Sequence, residues 1–141
     1  MQNIVIVGAS LAGTRAAETL RSSGFTGTIT MVGAETHMPY DRPPLSKNYL
    51  AGDWDEERVA LRKPEALEEL NLTWKLGVAA SGLDTAAKTL TLANGETLTY
   101  DGLIIATGGD VRRLPNQPDI AGIHTLRTLA DATALRDEIT E

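Results

Sequence analysis

"NIVIVGASLAG", residues 3–13, joins a β-branched run to a turn bounded by two glycines, and that junction decides the fold. Residues 3–7 are short and rich in Ile and Val, which suits a strand buried on both faces of a parallel sheet. From Leu11 to Ser22 the spacing becomes helical. Leu11, Ala12, Ala16, Thr19 and Leu20 can share one face, with Arg15, Glu18 and Arg21 pointing elsewhere. Ser22, Ser23 and Gly24 stop the helix. "TITMV", residues 28–32, is a second strand ended by Gly33. Together these segments make a β-α-β unit of about thirty residues, the length such a crossover needs.

The turn itself reads Gly8-Ala9-Ser10-Leu11-Ala12-Gly13. Between a strand and a helix, the pattern G-x-G-x-x-G holds the pyrophosphate of a dinucleotide. Gly8 lets the chain turn sharply, and Gly13 lets helix and strand approach. Ser10 replaces the middle glycine: its Cβ narrows the approach, while its hydroxyl can donate to a phosphate oxygen. The free N–H groups at the helix start favour an anion there. Glu35 follows the second strand, about twenty residues past the turn, where a carboxylate accepts from ribose hydroxyls and repels a 2′-phosphate. The plainer alternatives are a tight strand–helix corner without ligand and a solvated acid.

Further along, "KPEALEELNL" (63–72) predicts a short helix with Pro64 in its first turn and Asn71 near its end. Residues 73–76 suit a strand. "KTLTLANGETLTY" (88–100) predicts a hairpin, with Leu90, Leu92, Leu98 and Tyr100 alternating about an Asn94-Gly95 turn. Residues 102–107 form another apolar run that stops at Gly108-Gly109. "RRLPNQPDIAG" (112–122) has loop composition. Residues 126–139 look helical, with Leu126, Leu129, Ala132, Leu135 and Ile139 as the apolar positions.

Composition narrows the function classes. With 141 residues the chain suits one soluble domain, and 13 basic against 19 acidic side chains give a net charge of −6. That balance argues against nucleic acid. There is no cysteine, hence no disulfide framework, thiolate metal site or CxxC centre. His37 and His124 lie far apart and suit loop positions, so no metal is expected. The opening apolar run is too short for a signal segment or a membrane span. A cytoplasmic protein with no membrane partner is the expectation.

One stretch remains: "HMPYDRPPLSKNYL", residues 37–50, with Pro39, Pro43 and Pro44 stiffening a polar loop directly after a strand. This stretch, together with "IVIVGASLAGTRAAETLR" and "LIIATGGDVRRLP", closely resembles the FAD-dependent ferredoxin reductases of the pyridine nucleotide–disulfide oxidoreductase superfamily, a group that includes putidaredoxin, rubredoxin and aromatic-dioxygenase reductases. The resemblance is colinear over the whole chain. It implies an α/β fold: a Rossmann-like, doubly wound parallel sheet, part of an FAD-binding domain, with an inserted antiparallel β-hairpin. Residues 1–110 would be the N-terminal part of that domain, and 111–141 a connecting loop and helix leading towards an NAD-binding domain.

The resemblance also implies roles. Lys47 would approach the reacting edge of the flavin and favour the reduced, anionic form, which makes it the one catalytic candidate. Arg42 would lie near the pyrophosphate. Ala12 would meet the cofactor through its backbone, as Ala80 would meet the adenine. Ala106, Thr107 and Gly108 would pass the pyrophosphate, and Arg127 would contact the flavin side. The alternative for Arg42, Lys47 and Arg127 is a solvated surface base.

Members of the family are considerably longer. The chain therefore reads as a fragment or isolated subdomain of a reductase that moves electrons from NADH through FAD to a ferredoxin-type iron–sulfur protein. The remaining segments of that reductase would be its other partners. Without cysteine, electrons cannot pass to an internal disulfide. Two rival readings are a non-catalytic FAD- or ADP-binding module, and a flavin enzyme with oxygen or a quinone as acceptor.

Overall fold

Alternate residues of β1 (Asn3–Val7) face two different apolar layers. Ile4 and Ile6 pack with Ala17 of α1 (Leu11–Ser22) and with Ile29 and Met31 of β2 (Thr28–Gly33). Val5 and Val7 pack with Val32, Leu90 and Leu92 on the other side. A period of two explains this division: every second side chain of a strand points to the same face. Each such Ile or Val, buried on both sides of the sheet, contributes about 1.5–3 kcal/mol.

The computed structural model describes residues 1–118 and 120–140. Asp119, inside the expected 112–122 loop, and Glu141, the last residue of the expected 111–141 segment, lie outside the described residues. After β2 come a 3₁₀ turn (Pro43–Ser46), α2 (Glu56–Val59), α3 (Pro64–Glu68), β3 (Thr73–Leu76), β4 (Ala80–Asp84), β5 (Thr89–Leu92), β6 (Thr97–Thr99), β7 (Gly102–Ile105) and α4 (Leu129–Thr140). The chain forms two units. The first comprises Met1–Tyr40 and Leu61–Gly108, and the second comprises Asp41–Ala60 and Gly109–Glu141.

In the first unit a four-stranded parallel sheet runs in the order β3-β2-β1-β7. A second, antiparallel sheet, β4-β5-β6, covers the face opposite α1 through Leu90 and Leu92. The fold is thus the expected Rossmann-like parallel sheet with an antiparallel insertion. The insertion has three strands where the sequence predicts two. β4, "ASGLD", has no β-branched residue and a register shift between Ala80 and Gly82, so it carries little strand signal. Gly95, at φ +86°, turns the chain between β5 and β6. The helix of 63–72 is one turn shorter than expected and gives way to Asn71 in the left-handed region, at φ +46°. The guanidinium of Arg21 ties α1 to that end, donating to the carbonyls of Leu70 (2.8 Å), Asn71 (3.0 Å), Phe25 (2.8 Å) and Gly27 (2.8 Å).

Two elements depart further from the sequence pattern. The buried face of α1 is Gly13, Thr14 and Ala17, while Leu11 is 50% exposed and Ala12 is exposed as well. The helix is rotated by about one residue from the face that the larger apolar side chains suggest, because Gly13 must touch β1. β7 ends at Ile105, two residues earlier than the apolar run.

In the second unit, Tyr49 is buried. Its hydroxyl lies 2.9 Å from Thr133 Oγ1, and the Arg136 guanidinium stands 4.9 Å over its ring. Asp55 caps α2 by accepting from the Arg58 N–H at 2.9 Å. α4 begins at Leu129, three residues later than predicted, because a capping box sets its start. The Asp131 N–H donates to Thr128 Oγ1 at 3.1 Å, and the Asp131 carboxylate accepts from the Thr128 N–H at 2.8 Å. Leu129 and Ala132 are buried, whereas Leu126 and Ile139 are exposed, so only part of the predicted stripe is core.

Candidate functional site

In the sheet order β3-β2-β1-β7, the chain leaves β1 towards one side and later returns to its other side as β7. The carboxyl ends of β1 and β7 therefore flank a topological switch point, the place where open α/β sheets bind ligands. Gly8 stands there. The Gly8 N–H donates to the Val32 carbonyl at 2.8 Å, and the Ala106 N–H to the Val7 carbonyl at 2.7 Å. Gly8 has φ +120°, and a Cβ on it would lie 2.0 Å from the Ala106 carbonyl oxygen. A Cβ on Gly13 would lie 1.9 Å from the Gly8 carbonyl oxygen. Both glycines thus do what the sequence pattern asks of them: one turns the chain under the segment after β7, and the other brings helix against strand.

Ser10 is the N-cap of α1 with extended backbone, and its side chain makes no capping bond. Its carbonyl accepts the Thr14 N–H at 2.9 Å. The earlier N–H groups of the first turn have no intrahelical acceptor by construction, and no acidic residue stands in that turn. The result is a positive helix end with close-packed backbone around it, which suits a phosphate or pyrophosphate. Leu11 and Ala12 flank it on the exposed side, and Ala9 packs against Gly33 at the end of β2.

Glu35 follows β2 at the same end of the sheet. Its carbonyl accepts the Gly77 N–H at 2.9 Å, and its carboxylate accepts the phenol O–H of Tyr40. Ala80 opens β4. With Val7, Ile105 and Thr107 it lines an apolar groove of about 280 Å³. Thr107 and Gly108 are exposed, the latter with φ +71°. The first unit thus brings together Gly8 to Gly13, Glu35 and Ala106 to Gly108 around the carboxyl ends of its strands, with Ala80 on the groove that Thr107 shares.

The second unit holds the three bases. Arg42 donates to the Arg127 carbonyl at 2.6 Å, which joins the proline-stiffened loop to the segment before α4. Lys47 caps the 3₁₀ turn. Its N–H donates to the Pro44 carbonyl at 2.9 Å, its carbonyl accepts the Ala51 N–H at 2.9 Å, and it is exposed. Asp131 fixes the Arg127 backbone by accepting its N–H at 2.9 Å. Burial works to raise the Asp131 pKa, but the hydrogen bonds from the Thr128 and Arg127 N–H groups and from the Thr128 and Thr125 hydroxyls outweigh it and hold the carboxyl below its ordinary range.

Two contributors carry no role in the sequence reading. Tyr40 sits inside the stiff loop as one aromatic among several. The T-x-x-D signature at Thr128–Asp131 was available as a capping box. Among the described residues, no cluster of His, Cys, Asp and Glu could hold a metal, and no helix is long and apolar enough to cross a membrane.

The chain belongs to the pyridine nucleotide-disulphide oxidoreductase family, whose model matches residues 2–141. It is 43% identical to the rhodocoxin reductase of Rhodococcus erythropolis over 134 residues, 94% of this chain and 31% of that protein. It is 40% identical to a ferredoxin–NAD(P)(+) reductase of Sphingomonas sp over 138 residues, 97% of this chain and 33% of that one. The crystal structure of the covalent putidaredoxin reductase–putidaredoxin complex matches with a TM-score of 0.87 at 38% identity, covering 98% of this chain and 34% of that chain. The chain spans about a third of the length of these relatives.

Proposed function

We propose that the chain supplies the FAD half-site of an NAD(P)H-dependent flavoprotein reductase that delivers electrons to a ferredoxin-type iron–sulfur protein. The observation that carries this reading is the cradle at Gly8: a left-handed turn pressed on the Ala106 carbonyl, beside a helix end whose N–H groups are left for an anion. The names of its relatives support the same reading, and NADH is the donor we assign. Residues 1–110 would then belong to the FAD-binding domain, and 111–141 would lead towards an NAD-binding domain, in a cytoplasmic enzyme.

The residues present fit the cofactor. The backbone of Gly8 to Gly13 would hold the pyrophosphate, with the Ser10 hydroxyl donating to it. Glu35 would accept from the adenosine ribose, and the Ala80 backbone would meet the adenine. Ala106, Thr107 and Gly108 would close the other side of the pyrophosphate. Bound there, FAD would take a hydride from the nicotinamide and release single electrons. Arg42 would add positive charge near the pyrophosphate and Arg127 on the flavin side, and Lys47 would stabilise negative charge at the ring. The zero cysteine count fits an external electron acceptor rather than an internal disulfide.

The test is to join the chain to the remaining two-thirds of a close relative, load FAD and add NADH. The flavin absorbance should bleach, and reduction of cytochrome c should require a ferredoxin. A flavin that never bleaches would leave a non-catalytic binding module. Bleaching that discharges to oxygen or a quinone without ferredoxin would favour a different acceptor.

A further inference from the structure

We propose that Tyr40 is a positioning residue for the adenosine ribose: its buried phenol holds the Glu35 carboxylate in place before any ligand arrives. The proposal rests on the cofactor reading above and deepens it, because it says how that site recognises the vicinal diol of a ribose.

Tyr40 is only 7% exposed, and its O–H donates to Glu35 Oε2. An apolar side chain would fill a core position equally well, so the hydroxyl needs a reason. The two residues are five apart in the loop that follows β2, and the backbone at both ends of that loop is pinned. The Glu35 carbonyl accepts the Gly77 N–H at 2.9 Å, and the Pro39 carbonyl accepts the Leu61 N–H at 2.9 Å. The His37 ring stands edge-on to the Tyr40 ring, with centroids 6.3 Å apart and planes at 89°. The phenol therefore has a fixed origin from which to hold a flexible partner.

A glutamate side chain that must order on binding loses rotamer freedom worth up to about 2 kcal/mol. A charge-assisted bond from a fixed phenol removes much of that loss in advance. A carboxylate offers about four acceptor sites, and one phenol uses a single site. On the cofactor reading, the ribose diol would donate to this same carboxylate. Tyr40 acts through Glu35 and need not touch the ligand itself. A carboxylate that cannot swing aside also meets a 2′-phosphate with its full charge, which sharpens rejection of phosphorylated adenosine.

The test is calorimetric titration of the chain with FAD, ADP and 2′,3′-dideoxy-ADP, for wild type, Tyr40→Phe, Glu35→Ala and the double variant. Phenylalanine keeps the ring and its His37 contact, and a thermal melt reports folding of each variant. Tyr40→Phe should weaken ADP binding about three- to tenfold, leave dideoxy-ADP binding unchanged and add nothing once Glu35 is Ala. Equal losses for ADP and the dideoxy ligand, or a Tyr40→Phe effect that persists in the Glu35→Ala background, would make Tyr40 a packing residue; the cofactor reading would stand and this proposal would fall. A wild-type chain that binds neither FAD nor ADP would overturn both.

Discussion

The carbonyl oxygen of Ala106 occupies the space where a Cβ on Gly8 would be, 2.0 Å from its ideal position. The turn after β1 and the segment after β7 therefore meet backbone to backbone, and side chains are excluded from the contact. Gly13 repeats the arrangement one helical turn on, 1.9 Å from the Gly8 carbonyl. Neither overlap can be relieved by a rotamer change, since both partners are main chain. Gly13→Ala should destabilise the first unit by about 1–3 kcal/mol, as overpacking does, with a matching drop in the urea midpoint. An unchanged midpoint would mean that α1 shifts freely on the sheet.

Glu35 should govern affinity for the adenosine half of the ligand. Loss of a hydrogen bond to a charged group costs roughly 1.5–3 kcal/mol, so Glu35→Ala should weaken FAD binding by about ten- to a hundredfold. An affinity within about twofold of wild type, by fluorescence titration, would place the carboxylate outside the ligand contact.

Lys47 should act on redox chemistry more than on binding. Lys47→Met keeps most of the stem and removes the charge. In the assembled, FAD-loaded reductase, a loss of roughly 2 kcal/mol against the reduced form would lower the two-electron potential by about 40 mV. Dye-linked potentiometry measures this. An unchanged potential together with an unchanged NADH bleaching rate would reduce Lys47 to a loop anchor.

The capping box at α4 makes a stability prediction with a sign. The Asp131 carboxyl is held below its ordinary range in the folded chain, so its contribution is present above the unfolded-state aspartate pKa. It is lost as the pH falls through the depressed folded value. Glu18 adds in the same direction: a hydrogen bond from Arg62, foremost among its causes, holds it low, with Arg62 Nε 2.6 Å from its carboxylate. Asp131→Asn should flatten the acid limb of a stability-versus-pH curve. Thr128→Ala should cost about 0.5–2 kcal/mol at neutral pH. An acid limb unchanged by Asp131→Asn would show that the carboxylate is not coupled to folding.

What was legible in the sequence follows the strength of local signals. The β-α-β unit and the β5–β6 turn were readable because β-branched runs, glycine bounds and an Asn-Gly turn are local. The inner face of α1 was not. Its packing is set by a missing side chain at Gly13, and hydrophobic periodicity counts only side chains that are there. β4 escaped because "ASGLD" has no strand composition and gains its order from pairing with β5. The close backbone contacts of Gly8 and Gly13 were readable from their spacing between a strand and a helix. The pairing of Tyr40 with Glu35 did not, because two residues five apart in a loop carry no periodic signature. The Arg42–Arg127 contact, 85 residues apart in the chain, is tertiary in origin.

The most direct measurement is a competition titration on this chain, following flavin fluorescence with FAD or FMN as ligand and ADP as competitor. Recognition by the Gly8–Gly13 turn and Glu35 would read the pyrophosphate and the adenosine. FAD should therefore bind, ADP should displace it, and FMN should bind far more weakly. FMN binding as tightly as FAD, or FAD that ADP cannot displace, would contradict the assignment of this turn as the dinucleotide site.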